Sequence, residues 1–163
     1  MKTPDQLADH ARVWIYQSAQ PLTPGQAEKA CQMLNEFIAD WTSHGARMEA
    51  AAGVYHGHFI VIAADEQKAL ASGCGIDKSV QAIRNISADT GMDFFDRLTV
   101  HYMNDGEVRT APMNAFWALR KSEVVTGETR VFNNLVRTVG EWKKGWIVPF
   151  AQSWHQEAWG GPL

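Results

Sequence analysis

Thr23-Pro24-Gly25-Gln26, with the apolar residues that follow it, decides the fold because it begins the clearest element of the chain. Threonine as N-cap, proline at the first helical position and glutamine at the third form a capping box. Apolar residues then recur at intervals of three and four, which is the period of one helical stripe. They are Ala27, Ala30, Cys31, Leu34, Phe37, Ile38 and Trp41. Gly45 is a stop signal just after His44, so the sequence predicts a helix that ends there.

Strands are predicted on both sides of this helix. Arg12–Gln17 is short, β-branched and aromatic, which is typical of a strand. Beyond the helix, Met48–Tyr55 is predicted as a strand, although its three alanines weaken the pattern, and His56-Gly57 is suited to a turn. His58–Ala64 is apolar on both faces, which indicates a central position in the sheet.

The remaining pattern completes an α+β fold. A second helix, capped by Asp77 or Ser79, is predicted to end near Gly91. Phe94–Tyr102 alternates as a further strand, and Asn104-Asp105-Gly106 predicts a tight turn after it. The order β-α-β-β-α-β is that of the ferredoxin-like split unit, an antiparallel sheet with helices on one face. C-terminal additions follow this core.

The composition predicts one domain over residues 1–163. Hydrophobic residues make up 45% and charged residues 20% of the chain, which excludes disorder. A formal net charge of −3, with both signs interspersed, gives no basic surface for nucleic acid. No apolar run approaches the roughly 20 residues that cross a bilayer, and Met1–Asp5 leads into polar residues. We therefore expect a cytoplasmic protein without membrane contact, in which Cys31 and Cys74 are free thiols.

The most conspicuous segment is Ser72-Gly73-Cys74-Gly75-Ile76-Asp77-Lys78-Ser79. Its last two residues match a P-loop, whose form G-x-x-x-x-G-K-[ST] lets backbone N–H groups cradle phosphates. Ser72 and Asp77 stand at the two glycine positions, and the Asp77 carboxylate would repel phosphate. We therefore expect neither ATPase activity nor a bound cofactor.

Two interpretations of the glycine-flanked cysteine stay open. In one, Cys74 is a catalytic or redox-sensing thiol with His44 as its base, because helix N-termini and cations such as Lys78 lower a thiol pKa. In the other, Gly73 and Gly75 shape a tight loop, and the cysteine fills a small apolar gap.

The preferred hypothesis is a non-catalytic domain that binds an unknown small molecule or protein through this loop. Loop N–H groups, with Ser79 or Lys78, would capture a polar group at the start of the second helix. The predicted ligand-binding residues are His44, Gly73, Cys74, Gly75, Asp77, Lys78 and Ser79. The open edge of a small sheet would also favour a homodimer.

Other polar residues form weaker candidate sites. His56 and His58 resemble a metal-binding pair, but a turn between them would place their rings on different strands, so no metal site is expected. Asp65-Glu66, Asp93 and Asp96 could supply carboxylates for acid–base chemistry or for Mg²⁺, whereas acids in such positions are usually solvated or cap turns.

The C-terminal part of the chain is rich in aromatic residues. Four of the seven tryptophans crowd there, namely Trp142, Trp146, Trp154 and Trp159. They could form a binding surface or hold the tail on the core. Asp105-Gly106, Thr129-Arg130-Val131 and Glu141-Trp142 resemble the GYF-like modules of bacterial proteins. That resemblance implies a protein-interaction module as a further alternative.

A second resemblance covers nearly the whole chain. Its residues are Trp41-Thr42-Ser43-His44-Gly45, Phe59-Ile60-Val61, the segment Ser72–Ser79, Phe95-Asp96-Arg97-Leu98, Val131-Phe132-Asn133-Asn134-Leu135-Val136 and Ser153-Trp154-His155. In these the chain resembles a family of short proteins from Bacteroidetes-type bacteria that is labelled "ABC transporter ATPase". The resemblance implies a bacterial protein and assigns no catalytic roles. Gly75 stands where the family has serine, and the chain has no L-S-G-G-Q signature, so the label's ATPase activity is not expected.

Overall fold

The computed structural model describes residues 2–43, 45–67 and 73–159. These residues form two compact units. The first contains the described residues up to Asp96 together with Arg137–Lys143, and the second contains Arg97–Val136 and the described residues from Lys144 onward. Within the described ranges, no helix is long and apolar enough to cross a membrane.

The predicted α+β class is confirmed, since helices and antiparallel strands make up both units. The strands are β1 Arg12–Gln17, β2 Thr42–Ser43, β3 Ala46–Arg47, β4 Glu49–Tyr55, β5 Phe59–Asp65, β6 Thr99–Asn104, β7 Glu107–Pro112, β8 Arg130–Phe132 and β9 Ile147–Pro149. The α-helices are α1 Pro24–Asp40, α2 Gly73–Thr90, α3 Phe116–Lys121, α4 Val139–Gly145 and α5 His155–Trp159. Short 3₁₀ helices cover Pro4–Gln6, Met113–Ala115 and Phe150–Gln152.

The first unit is built on a three-stranded sheet in the order β1-β5-β4. All seven residues of β5 are buried, which confirms the central position that its apolar sequence predicts. Ile60 and Ile62 of this strand pack with α1 and α2 in one hydrophobic core, which also contains Leu34 and Ile83. The apolar side chains of the strands and those of the apolar stripe of α1 therefore pack together in this core, as their periodicity predicts.

The first helix begins as predicted and ends earlier. The Thr23 hydroxyl accepts a hydrogen bond from the Gln26 N–H at 3.1 Å, and the Gln26 side chain accepts one from the Thr23 N–H at 2.8 Å. The helix ends at Asp40, because Trp41 is extended and the next residues form the β2–β3 hairpin. Gly45, with a φ of 79°, serves the turn of that hairpin and is not the stop signal of the helix.

The second helix starts earlier than predicted. Residues up to Ile76 were expected in a loop, yet α2 already includes Gly73, Cys74 and Gly75. Ser79 therefore lies inside the helix, where its hydroxyl donates to the Ile76 carbonyl at 2.6 Å, and it is not the N-cap.

The ferredoxin-like order is not confirmed, because β6 lies in a second sheet with the order β7-β6-β8-β9. Phe94 is buried in the core of the first unit, and the strand expected to start there begins only at Thr99. Beside β1, the described residues make isolated bridges from Gln17 to Phe95 and from Arg12 to Thr138. The core of the second unit consists of Val100, Tyr102, Ala111, Phe116, Val125, Val131 and Phe150.

Candidate functional site

The start of α2 is held against the segment that follows α1. The indole Nε1 of Trp41 donates a hydrogen bond to the carbonyl oxygen of Gly75 at 2.9 Å. Trp41 is only 1% exposed, and its ring packs against Phe37 and Trp14 with centroid distances of 5.0 and 6.3 Å. A buried aromatic residue whose N–H is hydrogen-bonded holds the segments that it contacts in fixed positions. The glycine at position 75 is therefore part of an ordered contact.

A second hydrogen bond joins the same two segments at the surface. The Lys78 Nζ donates to the Thr42 carbonyl oxygen at 3.4 Å, and Lys78 and its neighbour Asp77 are exposed. Thr42 pairs with Arg47 in the β2–β3 hairpin, so the lysine lies beside a strand pair that carries another cation. We call Thr42, Arg47, Asp77 and Lys78 the α2 junction.

The predicted site residues fall into three groups. Asp77 and Lys78 are exposed in the α2 junction, and the Gly75 carbonyl is engaged by the tryptophan. Gly73 and Cys74 lie in the first turn of α2, and the cysteine side chain is outside what the structure describes. His44 also lies outside the described residues. The structure thus brings Thr42, two residues before His44, to the predicted helix start.

Ser79 points into the protein and not towards the predicted ligand. It is 1% exposed, and besides its bond to the helix backbone it hydrogen-bonds Tyr16 of β1. Burial raises the pKa of Tyr16, and the hydrogen bond to Ser79 opposes that rise. The serine is therefore buried on the side of α2 that faces the sheet, and its role in ligand capture stays a prediction.

A cavity that the sequence did not predict lies at the beginning of β4. Its volume is about 330 Å³, and its lining residues are Lys2, Ile38, Arg47, Met48, Glu49 and Ala50. Lys2 and Glu49 form an ion pair at 3.0 Å. Arg47 is exposed, and no carboxylate among the described residues lies within ion-pair distance of its guanidinium. The only sequence signal was a charged residue directly before an alternating strand.

The two histidines of the predicted turn do not converge on a metal site. His58 is buried, and its Nδ1 lies 3.0 Å from the Ser18 carbonyl oxygen. His56 occupies the turn with a φ of 54°, and burial, together with the nearby His58, lowers its pKa. Among the described residues, no three His, Cys, Asp or Glu side chains are grouped to hold a metal ion.

The candidate carboxylates have local partners. Asp65, at the end of β5, lies 3.1 Å from the His10 Nε2 and accepts the Gln67 N–H at 2.9 Å. Asp93 accepts the Phe95 N–H at 2.8 Å. Such contacts are typical of side chains that stabilise strand ends and turns.

Trp142, Trp146 and Trp154 contribute to packing, and the side chain of Trp159 lies outside what the structure describes. Trp142 is buried and meets Tyr55 edge-to-face, with the ring centroids 5.2 Å apart. Trp146 is also buried, and its Nε1 donates to the Asn134 Oδ1 at 2.9 Å. Trp154 stacks on His155 at 3.9 Å. Side chains packed in this way have little surface left to offer a partner.

No protein-family model matches the chain, and neither a curated protein nor a solved structure matches it.

Proposed function

We propose that the chain is a non-catalytic binding domain that captures an acidic group of a small molecule or partner protein at the α2 junction. The observation that carries the proposal is the pair of hydrogen bonds that fix Trp41 and Thr42 against Gly75 and Lys78. They hold the start of α2 and the Lys78 ammonium in one place without help from a ligand, as a preformed site requires.

The charge distribution favours an anion. The first turn of α2 contains no acidic residue, and α2 is an 18-residue helix whose N-terminal end carries partial positive charge. Lys78 lies about one turn further along, and Arg47 lies across the hairpin ladder from Thr42. Asp77 adds one negative charge at the surface. Because this charge repels a polyphosphate more strongly than a singly charged group, the proposed ligand carries a single acidic group.

The test is an NMR titration of amide resonances with inorganic phosphate and with succinate. We expect shifts concentrated in residues 73–78 and a several-fold weaker response in Lys78→Ala. Lys29→Ala, an exposed lysine change on α1, is the matched control and should behave as the unmodified chain does. Shifts spread over the whole surface, or an unaffected Lys78→Ala titration, would contradict the proposal.

The proposal also distinguishes this chain from a nucleotide hydrolase. Ser72 and Asp77 stand at the glycine positions of a P-loop, and Ser79 donates to its own helix. We therefore expect no change in melting temperature with Mg-ATP. A rise of several degrees would overturn this part of the proposal, because a ligand that binds only the folded state stabilises it.

A homodimer through β4 is a second part of the proposal. In the part of the chain that the structure describes, no strand pairs with the outer edge of β4. Its interior, Ala50–Val54, contains neither charge nor proline, the two common devices that prevent edge pairing. Sedimentation equilibrium should then show a concentration-dependent dimer, and a monomer at every concentration would contradict it.

We also propose a fold relationship for the first unit and a cellular location for the chain. A ferredoxin-like relationship of the first unit is supported by the element order β1-α1-β4-β5-α2, apart from the short β2–β3 hairpin, and by its antiparallel sheet. A cytoplasmic location is supported by Cys31, which is a free thiol.

A further inference from the structure

The cavity at the beginning of β4 combines an apolar wall with charged groups. Ile38 of α1, Met48 and Ala50 supply the apolar wall, and Lys2, Arg47 and Glu49 supply the charges. Its volume of about 330 Å³ is near the lower end of the range that small-molecule sites occupy. This pocket is open to solvent, and a compact ligand is therefore the kind that fits it.

The charges in this cavity do not cancel. Lys2 and Glu49 neutralise each other through their 3.0 Å contact. Arg47 has no such partner among the described residues, so the lining carries one uncompensated guanidinium. A guanidinium presents several N–H donors in a fixed plane and binds carboxylate or phosphate oxygens in pairs.

We propose that this cavity binds a small amphipathic acid, with its anionic group on Arg47 and its short apolar part against Ile38, Met48 and Ala50. A cation would be repelled by the arginine, and a fully apolar molecule would leave the charged part of the lining unpaired. A ligand with one acidic group and a short hydrocarbon part can pair with the arginine and also contact the apolar residues of the lining. This site shares Arg47 with the α2 junction and differs from it in its apolar residues, none of which belongs to the junction.

The binding measurement uses isothermal titration calorimetry with octanoate, octyl phosphate and octanol. We expect octanoate or octyl phosphate to bind at least about tenfold more tightly than octanol, since a charge-assisted hydrogen bond contributes roughly that factor. Comparison of the two acids distinguishes a carboxylate site from a phosphate site. Equal affinity for octanol and both acids, or no binding of any of them in the millimolar range, would overturn the proposal.

Variants locate the bound acid. Arg47→Ala should weaken acid binding about tenfold, whereas Arg84→Ala, at an exposed position on α2, should leave it unchanged. Glu49→Gln should strengthen binding, because it removes a nearby negative charge and frees Lys2; a general loss of structure would not produce this gain.

Lys78→Ala separates this proposal from the proposed function, because Lys78 does not line the cavity. If Lys78→Ala weakens octanoate binding as much as Arg47→Ala does, the acid lies at the α2 junction and the cavity proposal is wrong. If only Arg47→Ala weakens it, the cavity proposal stands whatever the phosphate titration of the α2 junction shows.

Discussion

The Nε1 of Trp41 lies 2.9 Å from the carbonyl oxygen of Gly75, 34 residues away in the sequence. This hydrogen bond joins the residue at the end of α1 to the first turn of α2. The glycine is buried, so this hydrogen bond lies away from water. The contact positions the start of α2 and with it the α2 junction.

Trp41→Phe should lower the free energy of unfolding by about 1–3 kcal/mol, because it removes a buried hydrogen bond and leaves the space of the larger ring unfilled. Urea denaturation measures the change. Trp117→Phe is the matched control, since that half-buried indole lies on α3 near Lys121, where the loss should be smaller. Equal stability of the two variants would show that the Trp41–Gly75 bond contributes little.

Tyr55 should ionise later than an ordinary tyrosine. Burial, assisted by the charge of Asp5, raises its pKa to about 12. The folded chain then holds a proton between pH 10 and 12 that the unfolded chain has lost, so stability falls as pH rises through this window. Ultraviolet titration of the unmodified chain against Tyr55→Phe isolates the phenol.

Asp5→Asn tests the smaller of the two causes. It should lower the pKa of Tyr55 only in part, because burial is the larger cause. A Tyr55 midpoint near 10 in the unmodified chain would refute the buried environment itself.

His155 should resist protonation. Its ring is buried, with Nδ1 3.1 Å from the Ser153 Oγ, and burial lowers its pKa to about 4. Between pH 6.5 and 4 the unfolded chain binds a proton that the folded chain does not bind. The free energy of unfolding therefore falls as the pH falls through this window. The imidazole resonances in an NMR titration give the midpoint directly.

His155→Gln provides the matched comparison for that pH dependence. Its stability should change less between pH 7 and 5 than that of the unmodified chain, because the variant lacks the group responsible. A His155 midpoint near 6.5 would count against the buried, neutral ring.

Cys74 should react as an ordinary thiol if the domain is non-catalytic. We expect its rate with a disulfide reagent to follow that of a free thiol with a pKa of about 8.5. Measurement in the Cys31→Ser background isolates this residue, and Cys74→Ser gives the blank. Rapid reaction at pH 6 would favour the alternative, a thiol enzyme or redox sensor, because only a stabilised thiolate reacts there.

Local signals predicted local features well. The Thr23 capping box and the apolar stripe up to Ile38 are properties of neighbouring residues, and both are present in α1. The apolar run at Phe59–Asp65 predicted a central strand for the same reason, since its side chains must be buried on both faces.

Errors arose where distant residues decide the outcome. Gly45 was predicted to stop a helix, and the pairing of Thr42 with Arg47 places it in a hairpin turn instead. Asp77 or Ser79 was expected to cap the second helix, and α2 begins at Gly73, so that both residues lie inside it.

The sequence alone determined the α+β class, the start of α1 and the central strand, because periodicity and capping depend on residues close together in the chain. Tertiary structure alone decided which sheet receives β6, how Trp41 meets Gly75 and where the cavity beside Arg47 lies. These depend on hydrogen bonds and packing between residues far apart in sequence, whose pairing no local pattern specifies.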